Sequence, residues 1–74
     1  MTTYDDIVKK LQEGKTVYLL NEFYSTAIKV IPRTTNYKAK YKGGREYPIE
    51  RKTDLVCETL EEPVEITAEE YERY

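Results

Sequence analysis

Residues 36–52 read NYKAKYKGGREYPIERK. Three tyrosines and six Lys and Arg flank or surround a Gly43-Gly44 pair. Apolar and basic residues alternate before the glycines, which is the period of a β-strand, where successive side chains point to opposite faces. Glycines between two such runs mark a hairpin turn. The loop length then decides which side chains share a face. A two-residue loop pairs Lys42 with Arg45 and separates Tyr41 from Tyr47. A three-residue loop of Lys42, Gly43 and Gly44 pairs Tyr41 with Arg45, Ala39 with Tyr47 and Tyr37 with Ile49. That register collects Tyr37, Ala39, Tyr41, Tyr47 and Ile49 on one face and sets Lys40 opposite Glu46 on the other, facing solvent. A one-residue slip scrambles both faces, so the pattern selects the three-residue loop. Gly44 is then expected in the left-handed position of the turn. Pro48 cannot donate to a ladder and places its strand at an edge or a bulge.

Upstream, residues 3–13 carry a helical stripe, because Tyr4, Ile7, Val8 and Leu11 recur at helical spacing. Thr3 is placed as N-cap, Asp5 and Asp6 favour the positive end of the dipole, and Gly14 is the expected C′ residue. Asp5–Lys9 and Asp6–Lys10 have the spacing and order of stabilising pairs. TVYLLNEF (16–23) and TAIKVIPR (26–33) read as strands joined by a turn in NEFYS. The 23–31 segment also fits a helix, with Phe23, Ala27 and Ile31 on one face, but Ile28, Val30, Ile31 and the following Pro32 favour strand. RTTN (33–36) makes a connection.

Downstream, TDLVCETL (53–60) reads as a buried strand centred on Leu55, Val56 and Cys57, broken by EEP at 61–63 and extended by VEI. Thr67 and Glu70 form a capping box, with Ile66 and Tyr71 as a hydrophobic staple, and start a short last helix. The expected fold is α+β. Residues 1–74 make a small single domain, with an N-terminal helix packed on a mostly antiparallel four- to five-stranded sheet and a short C-terminal helix.

The charges are segregated. Residues 29–52 carry eight basic side chains against Glu46 and Glu50, whereas residues 53–74 carry eight acids against Arg73 alone. The net charge is −2 and the isoelectric point about 5.2, unlike the basic footprint of a nucleic-acid domain. No apolar run approaches the ~20 residues that span a bilayer. MTTYDD lacks the basic and apolar regions of a secretory signal. The lone Cys57, in an apolar run, is expected as a small buried hydrophobe and fits a reducing cytoplasm.

The sequence has no histidine. This removes the usual general base near neutral pH, the histidine-activated nucleophiles and the commonest metal ligand. The EF-hand spacing is missing and KGGR is not a phosphate loop. Acid pairs such as Glu61/Glu62 need an enclosed cleft to act in catalysis, and the chain is too short to supply one. The expectation is a non-enzymatic binding protein without metal or cofactor. In length and style the chain, beginning MTTYDDIVKKLQEGKTVYLL and ending EITAEEYERY, resembles short phage accessory proteins. That resemblance covers no diagnostic motif, and it implies a host-directed or anti-defence inhibitor.

The binding residues are expected on the hairpin: Lys38, Lys40 and Lys42 on its outer side, Arg45 at the tip, and Tyr41 as the tyrosine left partly exposed. A protein partner is favoured. The alternative is a small single-stranded nucleic-acid-binding domain using the tyrosines and lysines of 37–52, although the favoured register puts them on opposite faces. The acidic last third also suits imitation of a phosphate backbone, or simply a solvated end.

Overall fold

The computed structural model describes residues 3–33 and 36–74. Its elements are α1 (Tyr4–Gln12), β1 (Val17–Asn21), β2 (Thr26–Val30), β3 (Tyr37–Tyr41), β4 (Glu46–Ile49), α2 (Asp54–Glu61), β5 (Glu65–Ile66) and α3 (Ala68–Arg73). The expected helix–sheet–helix architecture is what the chain adopts. Thr34 and Thr35, in the expected 33–36 connection, lie outside the described residues.

Local signals start and stop α1. The Thr3 hydroxyl accepts from the Asp6 N–H while the Asp6 carboxylate accepts from the Thr3 N–H, a reciprocal capping box. These bonds hold the Asp6 carboxyl below its ordinary pKa. At the other end Gly14 takes φ +81°, Lys15 donates to the Lys10 carbonyl and Gly14 to that of Leu11. This is the Schellman arrangement, which a left-handed glycine makes possible. Lys10 reaches away from its own helix to the Glu65 carboxylate on β5.

The strands form one antiparallel sheet in the order β4-β3-β2-β1-β5. The hairpin register matches the sequence expectation, with Tyr37 opposite Ile49, Ala39 opposite Tyr47 and Lys40 opposite Glu46. Pro48 lies on the edge strand β4, where its missing N–H costs no ladder bond. The turn itself differs in one detail. Gly43, not Gly44, has positive φ (+74°), and the Gly44 N–H donates to the Tyr41 carbonyl at 2.8 Å. Positive φ at the third residue of a four-residue turn is the type II pattern, which needs glycine one position earlier than a G1-bulge turn does.

Residues 53–60 are the main correction, because they form a helix rather than a strand. Thr53 is its N-cap and accepts from the Val56 N–H. Leu55, Val56, Thr59 and Leu60 then fall on one helical face, and the last three are buried. The apolar run Leu55-Val56-Cys57 is only three residues long, so its ambiguity is settled by the longer helical period around it. Cys57 consequently sits on the flank of α2, half-buried rather than in the core. Its sulfur lies 3.7 Å from Arg51 Nη1.

One sheet face packs Val17, Leu19, Ile28, Val30 and Ala39 against Ile7 of α1 and Val56 and Leu60 of α2. The opposite face carries Tyr18, Ala27, Lys29, Lys40 and Glu46, and α3 lies on it. There Tyr71 is buried, with its ring 5.1 Å from that of Tyr18 and its hydroxyl donating to Glu46 at 2.8 Å. The Thr67–Glu70 capping box forms as expected. Both short helices depend on their caps, since a helix of two turns is marginal alone. Thr53→Ala and Thr67→Ala should each cost about 1 kcal/mol. In thermal melts that should appear as a midpoint lower by roughly 4–8 °C for each variant. An unchanged midpoint in Thr53→Ala would contradict the helix at 54–61.

Candidate interaction surface

Antiparallel order brings the β1–β2 turn (22–25) and the β3–β4 turn (42–45) to the same end of the sheet. The Lys42 N–H donates to the Ser25 carbonyl at 3.1 Å and joins them. The Gly43 N–H donates to the carbonyl of Tyr74, so Tyr74 meets the same end.

This end is aromatic and exposed. Phe23 has 88% of its surface open to solvent, and Tyr24, Tyr41 and Val64 are also exposed. The Phe23 and Tyr24 rings meet edge-on at 5.0 Å. Tyr41 leans on Tyr47, with centroids 5.4 Å apart, which leaves Tyr41 56% exposed although Tyr47 is half-buried. Exposed Lys42 and Arg45 flank the second turn.

Hydrogen bonds hold the first turn in shape. Asn21 Oδ1 accepts from the Tyr24 N–H at 3.2 Å, while Asn21 Nδ2 donates to Thr59 Oγ1 at 3.0 Å and ties the turn to α2. The Ser25 N–H donates to the Glu22 carbonyl, the Thr26 hydroxyl donates to the Tyr24 carbonyl, and Ser25 sits at φ +49°. A hydrogen bond to the Glu58 carboxylate raises the Tyr24 pKa above its ordinary 10. Phe23 is therefore presented on a braced turn.

The five expected binding residues do not form one surface. Lys38 and Lys40 lie on the α3 face, Tyr41 on the helix-packed face, and Lys42 and Arg45 at the tip. Lys40 does not face solvent as expected. It is half-buried, and its ammonium donates to the Tyr71 and Glu72 carbonyls at 3.1 and 2.6 Å, 5.9 Å from the Tyr71 ring centroid. A cation on the last carbonyls of a helix satisfies orphan acceptors and opposes the dipole, so Lys40 acts as the cap of α3. Glu46, opposite it, accepts from Tyr71. Of the expected set, Tyr41, Lys42 and Arg45 remain at the exposed end. Phe23 and Tyr24 join them unforeseen. The available signal was two adjacent aromatics inside a turn, where small and polar residues are usual.

A hollow of about 720 Å³ runs beside β4 between Tyr37, Lys38, Pro48, Ile49, Arg51 and Lys52. Among the described residues no group of acids or cysteine is arranged to hold a metal ion. Among those residues no helix is long and apolar enough to cross a membrane. Comparison with known proteins finds no match, whether with a family model, a curated protein or a solved structure.

Two tyrosines make the fold sensitive to alkali. Burial, then a hydrogen bond with Tyr41, pushes the Tyr47 pKa from 10 up to about 12. Burial, then the bond to Glu46, raises that of Tyr71 further. Above pH 10 the unfolded chain releases these protons while the folded one keeps them, so stability should fall as pH rises from 10 toward 12. Urea midpoints measured across that range should decline. The decline should be shallower in Tyr47→Phe/Tyr71→Phe, and an equal slope would discount both groups.

Proposed function

We propose that this protein is a non-enzymatic binding module that covers a surface on a larger protein, using the sheet end that carries Phe23, Tyr24, Tyr41, Lys42 and Arg45. The exposure of Phe23 carries the reading. A phenyl ring held in water forgoes roughly 1.5–3 kcal/mol that burial would return. Here the turn that carries that ring is braced by Asn21, and the ring is not turned inward. Aromatic side chains and Arg are the usual anchors of interfaces, and a preformed turn loses little entropy on binding. Lys42 and Arg45 at the rim would mainly steer association. An inhibitor of the host-directed kind acts in this manner, by occupying a surface that its target needs.

Single-stranded nucleic acid fits less well. A stacking platform needs aromatics and cations turned to the same ligand. Lys38 and Lys40 lie on the face opposite Tyr41 and Tyr47, and Lys40 is committed to α3.

Two measurements test this. Phe23→Ala should leave the melting midpoint nearly unchanged, because an exposed position seldom shifts stability by more than about 0.5 kcal/mol. The same variant should lose capture of the partner from the native cell, measured side by side with the wild type. Capture that is indifferent to Phe23→Ala refutes the surface. Titration with single-stranded DNA, single-stranded RNA and duplex at ~150 mM salt should show no sub-micromolar binding. Tight binding abolished by replacing Lys38, Lys42 and Arg45 would transfer the function to nucleic acid.

A further inference from the structure

Beside Phe23, between the β1–β2 turn and the C-terminal end of α2, lies a groove of about 320 Å³. That is at the small end of the ~300–1,000 Å³ typical of ligand clefts, and it suits one or two side chains better than a whole small molecule. Its apolar surface comes from Leu20, Phe23 and Val64, and its rim from Glu22, Glu58 and Glu62. No Lys or Arg lines it. We propose that this groove receives a basic, apolar-flanked segment of the partner protein, with a Lys or Arg stem lying along Phe23 and Val64 and its charged head among the three glutamates. This rests on the protein-binding reading above and adds the chemistry of what is bound.

Two observations select a cation. The first is pairing. Among the described residues the ion pairs join Lys10 to Glu65, Lys29 to Glu46, Lys52 to Glu50 and Arg73 to Glu69, and none uses a groove glutamate. Of the groove glutamates, Glu58 has the Tyr24 hydroxyl, which is neutral, as its partner among the described residues. The second is the helix end. The last turn of α2 holds no basic residue, yet Glu58 and Glu61 lie in it and Glu62 is the C-cap. Acids at the negative end of a helix dipole oppose it, and a cation brought there relieves both the dipole and the mutual repulsion. Long basic side chains match the rest of the groove, since their methylene stems cover apolar surface while the head reaches charge. The walls are already set. The Leu20 N–H donates to the Val64 carbonyl at 2.9 Å, and Asn21 fixes the turn to Thr59.

The test is selection of a random linear-peptide library on the immobilised protein, followed by anisotropy titration of the winning peptide. The expected winners carry Lys or Arg next to an apolar residue. Binding should weaken by about tenfold in Phe23→Ala and again in Glu22→Lys/Glu62→Lys, as for loss of interface anchors, and it should weaken with salt. The glutamate variant touches neither the Tyr24–Glu58 bond nor the core, and its melting midpoint should hold or rise. Acidic or uncharged winners, winners indifferent to the glutamates, or no winner at all would each overturn the proposal. Its failure is distinguishable from that of the broader reading. If cellular partner capture needs Phe23 but ignores Glu22→Lys/Glu62→Lys, only the groove chemistry falls. If capture ignores both, the interaction surface falls with it.

Discussion

The central strand β2 has to be covered on both faces, and the rest of the structure follows from that. Thr26, Ala27, Ile28 and Val30 are all buried, so apolar positions of both parities need a roof. On one side α1 and α2 provide it with Ile7, Val56 and Leu60. On the other side the described residues supply α3, six residues long. So short a helix persists only if other parts of the chain hold it. Thr67 and Glu70 cap its start, Tyr71 enters the sheet face and bonds Glu46, and Lys40 caps its end. The lysine at the middle of the basic hairpin is thus a structural part, bought out of solvent by two carbonyls that would otherwise be orphans.

That reassignment explains what the sequence could and could not reveal. The hairpin register was legible because strand alternation and paired glycines are local, and a slip would have moved every tyrosine to the wrong face. The two capping boxes were legible for the same reason, being contacts within four residues. The destination of Lys40 was not, because its partners are 31 and 32 positions away and are backbone carbonyls, which leave no mark in the side-chain pattern. Residues 53–60 carry both signals, since Thr53, Leu55, Val56, Thr59 and Leu60 also make a helix start and face. Three adjacent apolar residues also suit a buried strand, and it is the helical period running from the Thr53 cap to Leu60 that decides for helix. Gly43 took the left-handed position in place of Gly44 because two neighbouring glycines leave the turn type open.

The candidate site was legible only in part. Tyr41, Lys42 and Arg45 follow from the hairpin tip. Phe23 and Tyr24 enter because antiparallel order sets a second turn beside it, a relation that depends on topology rather than on any single segment. Lys38 drops out with Lys40, since alternation sends both to the α3 face.

The segregated charges of the chain are resolved unevenly in the fold. The basic middle meets the acidic last third where Lys40 grips α3, and Lys10 reaches Glu65 on the edge strand. The acids of α2 have no such arrangement. They gather where a helix dipole already favours the opposite sign, beside an apolar ring that stays in water. A surface charge left unpaired costs little, and an exposed aromatic alone is unremarkable. Their coincidence at one braced turn is different, because each makes that place more receptive to the same kind of side chain. In the proposed complex the ring would supply area, the glutamates direction, and Lys42 and Arg45 across the turn end would repel a segment that entered in the wrong orientation. Specificity of that kind would need no deep pocket, which suits a chain of 74 residues whose buried apolar side chains go to the two faces of one sheet.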